Sequence, residues 1–330
     1  MRQAKLYRYR LPMDSGFVLR DNKLTEREGW IVELTQDGQT GYGEIAPLPG
    51  FSVETAEEAG LQAQLQLELW VKGTEFTYDE QYPSVAFALS MAVCELKGEL
   101  PQEGNYFAAP LCTGDPDGMM PLLNMIPSER KVAKVKVGMY EPIRDGMIVN
   151  LFLESMPELM LRLDSNRSWT AEQASKFASY INPSFRHRIE YLEEPCKEPG
   201  KSFSFAIETG IAIAWDETLQ QAVREPGFDL TELTGAKVIV IKPTLIGSVP
   251  RCISLIEQAN RQGMGVVISS SIESSLALNQ LARLAKWQTP DQVPGLDTMR
   301  FYQAQLEVTW PGCELPVQSL ADQELVWSSH

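Results

Sequence analysis

The chain has 330 residues, 44% of them hydrophobic, and a formal net charge of −15. That length allows one large domain or two ordinary ones with ample core. The acidic balance argues against a nucleic-acid partner, which needs clustered Lys and Arg, but leaves small anionic substrates open, because a few local charges or a metal can dominate a pocket.

Residues 1 to about 100 mix element types. AKLYRYRLP, GWIVELTQ and TGYGEIAP read as strands separated by turns. TAEEAGLQAQLQLELWVKG and PSVAFALSMAVCELKGEL read as helices, the second with Pro83 in its first turn, where a missing N–H is harmless. The mixture predicts a small α+β domain. From about residue 108 the pattern becomes a strict alternation of strand and helix. After APLCTG come VAKVKVG with PIRDGMIVNLFLESM, then LMLRLDSN with TAEQASKFASYI. Thr170 and Gln173 have capping-box spacing, and Ala174, Phe177, Ala178 and Ile181 make one apolar stripe. RIEYLEEP leads to KSFSFAIETG, IAIAWDE to TLQQAVREPG, KVIVIKP to SVPRCISLIEQANRQG, and GVVISSS to IESSLALNQLARLAKW. PGLDT offers an eighth strand, and QAQLEVTW with ELVWSSH should fold back as an extra strand or tail.

Runs of Val, Ile and Leu between amphipathic helices mean parallel strands buried on both faces. Seven or eight such units in about 200 residues suit a closed β/α barrel. A doubly wound sheet is the other arrangement, although no G-x-G-x-x-G follows the first strand. The expected division is an α+β domain over 1–100, joined by part of the tail at about 305–330, and a barrel over 108–304. The cysteines (Cys94, Cys112, Cys196, Cys252, Cys313) are odd in number and lack C-x-x-C spacing, as befits reduced thiols. MRQAKLYRYRLP holds no apolar signal core and no run approaches membrane-spanning length, so a soluble cytoplasmic protein is expected. Histidine is scarce. Only His187, in the charged stretch FRHRIE that reads as a solvated link, and His330 are present, which leaves acid–base chemistry to carboxylates and lysines.

In a parallel barrel the inward side chains at the strands' C-terminal ends converge. The second strand ends in Lys136, with Lys134 on the same face. The third ends in Asp164, the fourth in Glu193-Glu194, the fifth in Asp216-Glu217, the sixth in Lys242 and the seventh in Ser269-Ser270-Ser271. Asp164, Glu193, Asp216 and Lys242 lie 29, 23 and 26 residues apart, one strand–helix unit each. If Tyr191 faces inward so does Glu193, and if Ala214 does so does Asp216. Taken singly, KVKVG is a strand with a solvated face, LDSN a turn, and EEP and WDE helix-start acids. Their joint placement is what selects a site, since unpaired buried charges cost several kcal/mol each.

Three neighbouring carboxylates raise one another's pKa unless a cation sits among them, and hard oxygen ligands without His or Cys point to Mg²⁺. A Lys base must be neutral, which from a reference pKa of about 10.4 costs roughly 4–5 kcal/mol at pH 7. A divalent ion, the neighbouring Lys134 and poor solvation would all lower that cost at Lys136. The reaction class is proton abstraction α to a carboxylate, followed by elimination or reprotonation.

These residues resemble the enolase superfamily. The resemblance implies a modified (β/α)7β TIM-like barrel with an N-terminal α+β capping domain. It implies Lys136 as the base, Asp164, Glu193 and Asp216 as Mg²⁺ ligands, and Lys242 as the cation of the sixth strand. A closer resemblance, to the menaquinone-pathway lyases of that superfamily in their enteric-type bacterial form, covers nearly the whole chain. It rests on MDSGFVLRD, GYGEIAPLPGFS, PSVAFALS, KVAKVKVGMYE, RDGMIVNL, LRLDSNRSWT, YLEEPCK, ETGIAIAWDE, VIVIKPTLIGS, VISSSIESS and PGLDT. It implies dehydration of 2-succinyl-6-hydroxy-2,4-cyclohexadiene-1-carboxylate to 2-succinylbenzoate, with Lys242 as a cation near the enolate. An N-acylamino acid racemase or dipeptide epimerase would use the same residues, and a non-catalytic anion- or metal-binding barrel would keep the carboxylates while leaving Lys136 idle.

The implied substrate is a small dicarboxylate, so a second anion site is expected, with no obligate protein partner. Ser269, Ser270 and Ser271 precede a predicted helix whose N–H groups could bind an anion, or one serine merely caps it. Arg162 shares the face of Asp164 and either orients substrate or pairs with carboxylates in the core. Asn166 and Glu217 are expected partners of the metal ligands. Segments Ser15–Asp21 and Leu48–Ser52, with Phe17, Val18 and Phe51, could close over the barrel mouth or simply pack.

Overall fold

In strand Arg2–Pro12, Ala4 and Leu6 bury one face, and Tyr7, Tyr9 and Leu11 the other. A computed structural model describes residues 1–14, 18–19, 22–113 and 115–329. Contacts divide the chain into two units, Met1–Phe107 with Ile241–Ile256 and Ile268–His330, and Ala108–Val240 with Glu257–Val267.

The first unit holds an antiparallel sheet in the order Glu324–Ser328, Arg2–Pro12, Glu26–Gln36, Gln39–Ile45. Its tightest hairpin turns on Asp37-Gly38, at φ 53° and 82°, between the paired Gln36 and Gln39. Positive φ at both central residues matches the right-handed twist of the strands. ELVWSSH thus returns as an edge strand. Helix Ala56–Val71 starts at a capping box of Thr55 and Glu58, and helix Pro83–Leu96 is buried along most of its length. Gly41 and Gly43 let that second helix lie directly on the sheet, because a Cβ at either would come within 2.1 Å of the Ala92 or Ala88 carbonyl oxygen. Trp30, Leu67, Trp70 and Leu89 share the core between them.

The second unit is built on parallel strands in chain order: Leu111–Cys112, Val132–Lys136, Met160–Asp164, Ile189–Glu193, Ile213–Trp215, Val238–Ile241 and Gly265–Ile268. The first six pair in parallel with their neighbours. Tyr191, Ala214, Val238, Val240 and Val267 cluster on one face, which fixes the inward parity. Helices Pro142–Ser155, Ala171–Ser179 and Pro199–Thr209 fall within the segments expected to be helical, and Thr170 and Gln173 form the expected capping box.

Several details differ from expectation. PGLDT contributes only a single bridge, Ser269 to Gly295, before the chain turns toward the helical turn Met299–Phe301; Pro294 has no N–H to extend a ladder. Helix Pro116–Asn124 was not foreseen, its pattern being obscured by Gly118 and Pro121. FRHRIE is more than a solvated link. His187 is exposed, but Arg186 donates to the carbonyls of Thr209 (2.7 Å) and Ala178 (2.8 Å), and Arg188 to those of Leu153 (2.6 Å) and Met156 (2.9 Å). Both arginines therefore satisfy carbonyls at helix C-terminal ends. The expected closing segment Ser15–Asp21 lies outside the described residues except Val18 and Leu19, which pair with Lys23 and Asn22. Leu48–Ser52 is a closed turn in which Phe51 and Ser52 donate their N–H groups to the Leu48 carbonyl. All five cysteines are free, and among the described residues no helix is long and apolar enough to cross a membrane.

Candidate active site at the ends of the parallel strands

In strand Val132–Lys136 the apolar Ala133 and Val135 point one way into the core, 0% and 2% exposed, which forces Lys134 and Lys136 to the opposite face. Register then sets their neighbours. Lys134 is level with Arg162, Lys136 with Asp164, Asp164 with Glu193, and Glu193 with Ala214, two residues before Asp216. The Lys134 ammonium donates to both oxygens of Glu193 (2.9 and 2.8 Å) and lies 2.9 Å from Asp164 Oδ2. Lys136 Nζ donates to the same Asp164 oxygen at 2.8 Å and also to Asn166 Oδ1. Asp164 Oδ1 accepts from the Asn166 backbone N–H at 2.9 Å.

Burial alone would push the Lys134 ammonium down, but Asp164 and Glu193, with Tyr191 and Asp216 behind them, outweigh it and hold that group well above the ordinary lysine value. The two lysines have different stations. Lys134 is shared between two carboxylates, whereas Lys136 is the more exposed (26% against 18% of the side chain) and sits toward the rim.

Asp216 is fully buried, and its Oδ1 accepts from Gln220 Nε2 at 2.7 Å. Its backbone N–H donates to Glu194 Oε1 at 2.9 Å. Glu194, also buried, adopts a left-handed φ of 33°, as do Asn166 (46°) and Arg167 (57°) just past Asp164. Backbone strain of this kind costs about 1–3 kcal/mol per residue and gathers at functional sites. Sequence reasoning passed over Glu194, Arg167, Thr218 and Gln220. The doubled acid in YLEEP was the one available signal, and alternation assigned Glu194 to the other face.

Arg162 is buried, and its Nε donates to Glu190 Oε2 at 2.6 Å, with the guanidinium over the Tyr191 ring. This is the core-arginine arrangement. Glu217 is buried at the start of helix Glu217–Ala222. Lys242 and the serines belong to the other unit. Lys242 follows strand Val238–Ile241 in an extended conformation, and its carbonyl accepts from Leu245 N and Ile246 N. Ser269 Oγ donates to Gly295 O at 3.1 Å, and Ser270 Oγ to Glu273 Oε2 at 2.7 Å. The cap of helix Ser275–Gln288 is Ser274, and its first N–H groups are already taken: Ser274 N and Ala277 N donate to the Glu44 carboxylate at 2.8 and 3.2 Å.

Among the described residues no three Asp, Glu, His or Cys side chains close into a metal-holding group. Asp164 and Glu193 close on an ammonium instead. By chemistry the donors fit a hard divalent cation: three buried carboxylates on adjacent strand ends, two already converging on one point of positive charge, with neither His nor Cys among them.

Residues 1–96 match the family model for the MenC N-terminal domain, and residues 128–307 the enolase C-terminal domain-like model. The chain is 64% identical over 329 residues to an o-succinylbenzoate synthase of Vibrio cholerae serotype O1 (strain M66-2), covering 100% of this chain and 99% of that one. Its fold resembles that of the o-succinylbenzoate synthase of Thermosynechococcus elongatus BP-1 solved with Mg in the active site, with a TM-score of 0.73 at 23% identity, covering 91% and 94% of the two chains. A dipeptide epimerase of Enterococcus faecalis V583 solved with Mg and a dipeptide is as close in shape, with a TM-score of 0.72 at 20% identity and 91% of each chain covered. Shape alone therefore does not separate elimination from epimerisation. Whole-chain identity does.

Proposed function

The chain belongs to the o-succinylbenzoate synthase family, within the enolase superfamily, and from that premise we propose how its own residues carry the reaction. It is a lyase that dehydrates 2-succinyl-6-hydroxy-2,4-cyclohexadiene-1-carboxylate to 2-succinylbenzoate in menaquinone biosynthesis. Lys136 takes the proton from the ring carbon bearing the carboxylate. The C–H electron pair moves into the carboxylate as an enolate and then returns to expel the hydroxyl from the adjacent ring carbon on the same face. The proton held by Lys136 leaves with that hydroxyl as water, and the ring becomes aromatic.

The assignment is carried by the division of labour between the lysines. Lys134 is engaged by two carboxylates, whereas Lys136, the more exposed of the two and bonded to Asp164 and Asn166, stands at the rim where a substrate proton can be met. Asp164, Glu193 and Asp216 would hold a divalent cation, Mg²⁺ in this reading, which would supply positive charge to the substrate carboxylate. Asn166 bonds both Lys136 and Asp164, and Glu217, buried at the start of its helix, is assigned with it as a partner of the metal ligands. Lys242 continues the inward parity of Val238 and Val240 and is assigned the second cation near the enolate. Lys134, Arg162, Ser269 and Ser270 are assigned as substrate contacts, with Arg162 oriented by Glu190 and Ser270 by Glu273.

The functional division is a catalytic stretch, 108–304, and an accessory one, 1–100 with 305–330. We read the enzyme as cytoplasmic, acting on a small dicarboxylate without nucleic acid, membrane or obligate protein partner. The test is to add the cyclohexadiene substrate with Mg²⁺ and follow the absorbance of the aromatic product, with a chelator as control. Product that forms only with metal is the expected result. Racemisation of N-acylamino acids without any aromatic product would overturn it.

A further inference from the structure

We propose that Glu194 is a positioning residue that locks together the three strand-end loops carrying Asp164, Glu193 and Asp216, so that the carboxylates are held ready for a cation; this rests on the metal-ligand reading above.

Glu194 is 1% exposed and adjoins Glu193 in the chain, yet its side chain takes the other direction. Its Oε1 accepts from the backbone N–H of Asp216 (2.9 Å) and of Thr218 (2.5 Å). Its Oε2 accepts from Thr218 Oγ1 (2.8 Å) and from Arg167 Nε. Arg167 stands three residues past Asp164, and its backbone N–H donates to the Glu194 carbonyl at 3.0 Å. The same guanidinium also reaches Thr218 Oγ1 and, at 3.4 Å, Gln221. One carboxylate thus ties the loop after Asp164 to the loop carrying Asp216, while its own backbone carries Glu193.

Charge and conformation both fit this role. The Arg167 cation offsets Glu194, so the network adds no net charge beside three carboxylates that already repel one another. Two of the tied residues, Arg167 and Glu194, have left-handed φ, and Asp216 departs from strand geometry at φ −120°, ψ −82°. Such conformations persist where surrounding bonds over-determine them. With the Asp216 N–H pinned by Glu194 and its Oδ1 by Gln220, little freedom is left to that carboxylate. A glutamine at position 194 would keep the shape but could accept through one oxygen only, and would leave the Arg167 charge unbalanced.

The experiment is a Mn²⁺ titration of the full-length protein by electron paramagnetic resonance, paired with turnover measured over a range of Mg²⁺ concentrations. Glu194→Gln should weaken Mn²⁺ binding by about 10–100-fold, with turnover recovering as Mg²⁺ is raised. Thr218→Val should shift both readouts the same way by less. A folded Glu194→Gln protein whose Mn²⁺ affinity stays within about twofold of the wild type would overturn the proposal. If that variant does not fold, Thr218→Val decides, and unchanged Mn²⁺ affinity there overturns it equally. Asp216→Asn separates the two layers: Mn²⁺ binding unaffected by that change would contradict the ligand reading itself, whatever Glu194 does.

Discussion

Glu44 and Glu193 are almost equally hidden from solvent, 0% and 2% exposed, yet they are satisfied in opposite ways. Every described donor to Glu44 is neutral: Tyr9 Oη at 2.6 Å, Ser274 N at 2.8 Å, Ala277 N at 3.2 Å and the Ser274 hydroxyl. Burial still lifts its carboxyl above the usual range. Glu193 instead has both oxygens on one lysine ammonium, which Asp164 shares. The lesson concerns partners. A carboxylate closed off by neutral donors fixed in helix and strand is a structural tie, whereas carboxylates crowded around a side-chain cation can exchange it for a metal or a substrate.

Replacing a member of each region should separate them. Lys134→Met leaves Asp164 and Glu193 buried without their shared cation, and the metal-free protein should lose about 3–5 kcal/mol in urea unfolding. Much of that loss should return on adding Mg²⁺; a deficit indifferent to Mg²⁺ would break the contrast. Glu44→Ala strands several buried donors and should cost about 2–3 kcal/mol. Here Mg²⁺ should make no difference, and turnover of the folded fraction should match the wild type. Thr170→Ala, which removes only the helix cap that accepts from Gln173 N at 3.2 Å, should cost about 1 kcal/mol and leave both metal response and turnover alone.

Much of this was legible in the sequence because parallel strands repeat a simple grammar. Strand ends could be counted, alternation placed Tyr191 and Ala214 on the inner face, and the charges at positions 134, 136, 164 and 193 met as spacing implied. What stayed hidden depends on contacts between residues far apart in the chain. Nothing near IESSLALNQ reveals that Glu44, 230 residues away from Ser274, fills the start of that helix. Arg162 carries two readings in the sequence because Glu190, which accepts its Nε–H, lies on the strand after its own. Glu194 looked like the spare half of a doublet because its task, bonding the Asp216 and Thr218 N–H groups, involves turns whose geometry the sequence pattern does not specify.

The most direct measurement is the rate of aromatic product formation by Lys136→Ala at saturating Mg²⁺, read together with its Mn²⁺ affinity. The account predicts turnover lower by about 10²–10⁴-fold or more, with metal binding nearly unchanged. Wild-type turnover in that variant would contradict it, because the amine left on Asp164, that of Lys134, is the one bound between two carboxylates and not the one at the rim.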